Sequence, residues 1–146
     1  IFLLSLVIID ETDNTDYFLY KYNFSKKDEK RIKNIFSFFK EKINSKAFTE
    51  NNLNKIFYYD GIQAVLDILN FKIIKSKKLD RNLFELSSYY KNKIVPIMPV
   101  KADELMVKYK IPQGKQLGEK LRMIEKEWVK NDFKISDKQI DVIFRN

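Results

Sequence analysis

Residues 114–128, GKQLGEKLRMIEKEW, carry the longest uninterrupted hydrophobic pattern in the chain. The apolar side chains in this stretch recur at intervals of four, three and four residues, at Leu117, Leu121, Ile124 and Trp128. This spacing places them on one face of an α-helix. The preceding run, IPQG at 111–114, is typical of a turn. The stretch therefore predicts a turn followed by a long helix, with Trp128 completing a buried stripe.

Helical spacing continues through most of the chain, and three capping boxes indicate where helices begin. Ser25–Asp28, Asp60–Gln63 and Ser136–Gln139 each place a small polar residue three positions before an acid or amide. In that arrangement the two side chains satisfy backbone N–H groups that a helix leaves without partners. Thr49 and Asp80 are two further candidate N-cap residues.

These signals predict several short helices. We expect one at about 26–43 and another at about 102–109, on the basis of apolar periodicity. The helix after Asp80 should bury a stripe that comprises Leu83, Phe84, Leu86 and Tyr90. The apolar start, IFLLSLVII at 1–9, is expected to be a buried helix. Because this pattern has already begun at Ile1, we expect the chain to be a piece of a longer protein or the product of a split gene.

The fold class that follows is all-α. Only three Gly and three Pro occur, too few for an all-β protein with many tight turns. We expect an irregular bundle of about seven to nine short helices, by count of the periodic segments. Pro96 and Pro99 interrupt the pattern and predict a linker. The expected organisation is an elongated body at 1–95 and a small helical tail domain at 96–146.

The composition excludes several kinds of chemistry. The chain contains no Cys and no His, which removes thiol nucleophiles, Ser-His-Asp triads and Cys or His metal sites. Without disulfides it needs no oxidising compartment, and we expect it in the cytoplasm. The apolar start is too short to span a bilayer and lacks a basic leader, so no membrane association is expected.

Acidic pairs do not indicate a metal site either. Asp28-Glu29 and Asp103-Glu104 each fall in a predicted first helical turn, where carboxylates interact favourably with the helix dipole. No Asp-x-Asp lies on a strand-like segment and no Gly-rich phosphate loop is present. We therefore predict no catalytic residue and no metal ligand in this chain.

The positive charge is concentrated in the second half. The net charge is +8, of which residues 75–146 carry +7, from seventeen basic and ten acidic side chains. Such an imbalance indicates a polyanionic partner. Lys-rich surfaces that serve only solubility are the alternative.

The turn at 112–114 is the strongest candidate for a phosphate seat, since a helix start presents N–H groups to an anion. The candidate phosphate-binding residues are Lys101, Lys108, Lys110, Gln113, Gly114, Lys115 and Lys120, with Lys26 and Lys27 at the start of an earlier helix. Gly118, one turn into the helix, is expected to let the neighbouring short helix pack closely, or alternatively an RNA backbone. Tyr89, Tyr90 and Tyr109 are candidates for stacking on bases, with Tyr90 placed in the core.

Four segments in order resemble class II CCA-adding tRNA nucleotidyltransferases and the related bacterial poly(A) polymerases. They are YNFSKKDEKR at 22–31, GIQAVLDIL at 61–69, PVKADELM at 99–106 and IPQGKQLGEKL at 111–121, followed by Trp128. Ala102 departs from the pattern, since many members of the family have Gly there. The resemblance covers essentially the whole chain. It implies that the chain corresponds to the late neck or body region of these enzymes, followed by their tail.

The resemblance also implies a function. The family's head domain, which would precede Ile1, uses Mg and CTP or ATP to add C, C and A to tRNA. This chain would contain no cofactor and would hold the tRNA elbow, with a separately encoded head as a candidate partner.

Two other hypotheses stay open from the sequence. One is a non-catalytic helical protein-interaction domain, or a remnant of a split poly(A) polymerase gene. The other is a complete small enzyme, which the missing metal-binding carboxylates argue against. The sequence does not decide whether the parent adds CCA, only A, or poly(A), nor the oligomeric state.

Overall fold

The computed structural model describes residues 2–9, 14–40 and 45–145. Within these ranges the chain is all-α, as predicted, with nine α-helices, one short 3-10 helix (Ser45–Phe48) and no strand. The helices are α1 (Phe2–Ile8), α2 (Thr15–Lys21), α3 (Lys26–Lys40), α4 (Glu50–Asp60), α5 (Ile62–Lys75), α6 (Arg81–Asn92), α7 (Ala102–Tyr109), α8 (Lys115–Lys130) and α9 (Asp137–Arg145).

A first group of helices packs where α1, α2 and α3 meet α5. Its buried side chains are Ile8, Ile9, Leu19, Ile32, Ile35 and Phe71. Ile32 and Ile35 are the inward positions of α3, three residues apart, which is the helical spacing that the sequence shows. The predicted end of this helix at residue 43 lies outside the described residues.

A buried ion pair joins α3 to α5 inside this first group. The Arg31 guanidinium donates two hydrogen bonds of 2.7 Å to the two carboxylate oxygens of Asp67. Gln63 donates a third, of 2.8 Å, to Asp67 Oδ1. The Asp67 side chain is 0% exposed and that of Arg31 is 25% exposed. The hydrogen bond to Asp67 raises the pKa of Arg31 above its ordinary value.

A second group forms between α4, α5 and α6. Its buried residues are Leu53, Phe57, Val65, Leu69, Leu83 and Tyr90. Tyr90 anchors the centre, where its hydroxyl donates to Asn54 Oδ1 at 2.9 Å. Burial raises the pKa of the Tyr90 hydroxyl above its ordinary value. The predicted core position of Tyr90 is therefore confirmed.

A third group contains α7, α8 and α9. Its buried residues are Leu105, Leu117, Ile124 and Ile140. The apolar stripe predicted for α8 is thus confirmed at this end.

The other end of α8 packs on α4, so this helix belongs to two cores. Trp128, which is 1% exposed, meets the Tyr58 ring edge-on at 5.4 Å and the Phe133 ring at 5.1 Å. Tyr58 also donates a 2.9 Å hydrogen bond to Glu125 on α8. Burial, together with this bond, raises the pKa of Tyr58 to about 12. The core position predicted for Trp128 is confirmed.

Two of the three predicted capping boxes are confirmed. The Asp28 amide donates to Ser25 Oγ at 3.2 Å at the start of α3. At the start of α9 the Ser136 amide donates to Gln139 Oε1 at 2.8 Å, and the Gln139 amide donates back to Ser136 Oγ at 3.4 Å. The predicted Asp80 cap is also confirmed, since Asp80 Oδ1 accepts from an amide of α6.

The Asp60–Gln63 capping box is wrong. Asp60 is the last residue of α4, so it is not available to cap α5. Gly61 occupies the N-cap position instead, with φ of 87°, a left-handed value that glycine adopts without strain. The side chain of Gln63 turns inward to Asp67. Two helices separated by one residue therefore leave no room for a capping box.

Two packing predictions are also wrong. Phe84 was expected to face inward on α6 but is exposed, because the helix buries only the stripe through Leu83 and Tyr90. Gly118 was expected to allow close packing of a neighbouring helix. A Cβ atom built there would meet nothing within 4 Å, so this position faces open space.

Candidate nucleic-acid interface

The turn between α7 and α8 is exposed. Lys110 ends α7 in the left-handed conformation with φ of 53°, and Gly114 is the N-cap residue of α8. Gln113 to Gln116 are all exposed. The first backbone bond of α8 runs from the Gly118 amide to the Gly114 carbonyl oxygen, 3.1 Å long.

This geometry leaves three amides without a partner within the helix. The N–H groups of Lys115, Gln116 and Leu117 precede the first intrahelical bond, and no side chain caps the helix within the described part of the chain. Unsatisfied N–H groups at a helix start favour a phosphate. Lys115 and Gln116 are exposed residues whose amides suit an anion, whereas Leu117 is buried.

Two lysines of the predicted site are exposed on either side of this turn, Lys110 at the end of α7 and Lys115 at the start of α8. Lys101 is exposed as well, but it precedes α7 and lies at the opposite end of that helix from the turn. The Lys115 side chain is 92% exposed, and its ammonium lies 3.9 Å from Glu119. Exposed pairs at this distance contribute little energy, so Lys115 can exchange Glu119 for a phosphate at small cost.

Lys108 and Lys120 have internal roles instead. The Lys108 ammonium lies 3.2 Å from Asp141 and 3.4 Å from Asp137 on α9. Hydrogen bonds with Tyr109 and Asp141 raise the pKa of Lys108.

Lys120 donates a 2.6 Å hydrogen bond to the carbonyl oxygen of Ile143 in the last turn of α9. A cation at a helix C-terminus is favoured by the helix dipole. Both Lys108 and Lys120 therefore fasten α9 to its neighbours.

The two early lysines sit elsewhere in the fold. Lys26 and Lys27 are exposed in the first turn of α3, which packs on α2 and α5. Helix α8 packs on α4, α7 and α9. The structure thus places Lys26 and Lys27 in the first helix group and the turn in the third.

Of the three candidate stacking tyrosines, Tyr89 alone presents an exposed ring. Tyr90 is buried, and Tyr109 is stacked on Phe144 with ring centroids 3.8 Å apart. The Tyr109 hydroxyl donates to Asp141. Over the Tyr89 ring, Lys93 Nζ lies 4.6 Å from the centroid. Lys93 is half-buried and donates a 2.8 Å hydrogen bond to Asn54 Oδ1, so the Tyr89 ring is available to a base whereas the lysine is engaged inside the fold.

A second basic surface, at the turn between α5 and α6, is not among the sites predicted from the sequence. Residues 72–81 contain five basic side chains and a single acid. A wide, open depression with a volume of about 760 Å³ is lined by Lys72, Lys75, Lys77, Lys78 and Arg81. The excess of basic over acidic residues in 72–81 is the sequence signal that predicts this surface.

Acidic side chains form no comparable site. Asp28 and Glu29 lie in the first turn of α3, and Asp103 and Glu104 in that of α7, as predicted. Across residues 2–9, 14–40 and 45–145, no three acidic side chains are grouped closely enough to hold a metal ion. None of the helices described is both long enough and apolar enough to cross a membrane.

The described ranges define an all-α protein that presents exposed cations at two turns of its second half. No family model, no curated protein and no solved structure matches the chain.

Proposed function

We propose that this chain binds folded RNA, tRNA above all, as the body and tail region of a CCA-adding tRNA nucleotidyltransferase or a related poly(A) polymerase. The nucleotide-adding head, with its Mg and its CTP or ATP, would be supplied by a separate segment or subunit in the cytoplasm. The chain itself would perform no catalysis.

The exposed start of α8 carries this proposal. The exposed residues Lys115 and Gln116 there have amides without a partner within the helix, and the Lys115 side chain is 92% exposed. A protein that accepts every tRNA must recognise shape and phosphates, because tRNAs differ in base sequence. Backbone amides and mobile lysines provide that kind of contact.

A filter-binding titration over a range of salt concentrations tests the proposal. The ligands are tRNA, a tRNA with a disrupted elbow and an RNA duplex of equal length. We expect tRNA to bind best and its affinity to fall steeply with salt. If the chain binds none of these RNAs at physiological salt, the proposal is refuted.

A double substitution locates the contact. Lys110→Gln with Lys115→Gln should weaken tRNA binding and reduce the slope of log affinity against log salt by about 2, one unit per lost phosphate contact. The matched control removes the same charge from two exposed lysines near the other end of α8, Lys126→Gln with Lys134→Gln. Equal effects of the two pairs would show that the turn has no special role.

One observation favours a different function, a protein-interaction domain. The linker between α6 and α7 exposes two large apolar side chains, Ile94 at 87% and Ile97 at 91%. Exposed apolar residues in an extended segment are suited to a protein partner. Under that hypothesis, Ile94→Ser with Ile97→Ser would abolish binding of the protein partner. Neither the wild type nor this variant would bind RNA.

A further inference from the structure

The turn between α5 and α6 carries a group of positive charges without internal counter-ions. Lys75, Lys77, Lys78 and Arg81 are all exposed. In the part of the chain that the structure describes, none of the four forms an ion pair. The one acid of the run, Asp80, accepts a 3.1 Å hydrogen bond from the Asn82 amide and so caps α6.

The end of α5 restricts two of the basic side chains beside the turn, Lys72 and Lys75. Ser76 closes α5, since its hydroxyl and its amide both donate to the Lys72 carbonyl oxygen, at 2.8 and 3.0 Å. Lys72 Nζ lies 5.6 Å from the Phe48 ring centroid, and Lys75 Nζ lies 5.8 Å from that of Phe71. Contacts with ring faces restrict both side chains without neutralising their charge.

Unpaired like charges that lie close together destabilise a folded chain by mutual repulsion. This turn concentrates five of them, whereas Lys108 and Lys120 in the tail have internal partners. The repulsion is relieved when an external polyanion supplies the missing negative charge. The arrangement is therefore that of a binding surface rather than of a structural ion-pair network.

We propose that the turn between α5 and α6 is a second RNA-contacting surface, which binds the sugar-phosphate backbone independently of the start of α8. This inference rests on the proposed function, since it adds a surface to the same ligand. An anionic membrane is less well matched, because insertion requires an apolar face, and Leu79 is the one strongly exposed apolar side chain of the turn, at 78%.

Neutralisation of the turn tests the inference. The variant Lys75→Gln, Lys77→Gln and Lys78→Gln is compared with Lys55→Gln, Lys91→Gln and Lys138→Gln, which removes three exposed charges from other helices. We expect the turn variant to bind tRNA at least tenfold more weakly at physiological salt and to reduce the salt slope by about 3. The control should lose far less of both. Circular dichroism of both variants verifies that each is folded.

Lysine acetylation followed by mass spectrometry gives a readout that needs no mutation. On the unmodified chain, tRNA should protect Lys75, Lys77 and Lys78 more strongly than Lys55 and Lys138. If tRNA binds but the turn variant matches the control and these lysines stay reactive, the inference is overturned and the proposed function stands.

If no RNA binds at all, both proposals fail together. Sedimentation with phosphatidylserine vesicles forms the last arm. Vesicle binding that depends on the three lysines, with tRNA binding unchanged, would assign the surface to a membrane and overturn the inference.

Discussion

Replacement of Arg31 should destabilise the chain far more than replacement of its partner Asp67. The two residues form a bidentate pair, but their surroundings differ: the carboxylate is 0% exposed, whereas the guanidinium is 25% exposed. Arg31→Ala leaves a buried charge that retains one bond, from Gln63. Asp67→Ala leaves a cation that can reach water.

The expected magnitudes follow from that asymmetry. Removal of one partner from a buried ion pair costs about 3–5 kcal/mol when the remaining charge stays buried, which is the case for Arg31→Ala. Asp67→Ala should cost only about 1–2 kcal/mol, typical of partly exposed polar groups that lose a partner. For a chain of this length Arg31→Ala should lower the melting temperature by roughly 10 °C. Urea unfolding followed by circular dichroism measures the free energies directly.

A double variant provides the control. Arg31→Met with Asp67→Leu replaces the pair with apolar side chains and should recover most of the stability that Arg31→Ala loses, since the cost lies in the orphaned charge. If Asp67→Ala proves as damaging as Arg31→Ala, the reasoning from burial is refuted. The same holds if the double variant is no more stable than Arg31→Ala.

Three further outcomes can be checked. Trp128→Ala should destabilise the chain by about 3–5 kcal/mol, as expected for a large aromatic residue removed from a core. Urea titration followed by circular dichroism measures this loss. A loss below about 1 kcal/mol would contradict the packing of Trp128 between α8 and α4. Hydrogen bonds from Tyr109 and Lys108 lower the pKa of Asp141 below its ordinary value. Asp141 therefore contributes stability that is present above the ordinary carboxyl pKa and lost as the pH falls through the lower pKa of the folded state. Asp141→Asn should thus be less stable than wild type at neutral pH, and the difference should disappear under strong acid in pH-dependent melting curves; a constant difference would be the contrary result. Finally, Lys120→Met should lower the melting temperature, because the Ile143 carbonyl oxygen loses its hydrogen-bond donor. Lys115→Gln should instead leave the melting temperature unchanged and weaken RNA binding. The opposite pattern would mean that their structural roles are reversed.

Features that depend on neighbouring residues could be predicted from the sequence. The capping boxes at Ser25 and Ser136 involve residues three apart, so the local pattern contains all the participants. The stripe of α8 is equally local, and the burial of Trp128 follows from its register. The Asp60 box failed because two helices compete for the same few residues, which a local pattern does not show.

The parts of the candidate site that depend on distant residues could not be predicted. Lys108 and Lys120 carry the same charge as Lys115, and only the position of α9 distinguishes their roles. Lys108 contacts Asp137, 29 residues further along the chain, and Lys120 contacts Ile143, 23 residues further along. The sequence shows where the cations are, whereas the tertiary packing determines which of them are available to a ligand.

Because α8 packs in two cores, a change of packing at one end of the helix moves its other end. Trp128 is fixed between Tyr58 and Phe133 at one end, and Gly114 closes the exposed turn at the other. At 1.5 Å per residue the two lie about 20 Å apart, so a tilt of about 10° at the tryptophan would displace the turn by roughly 4 Å. Repacking around Trp128 would therefore reorient the amides at the start of α8 without altering a single residue near them.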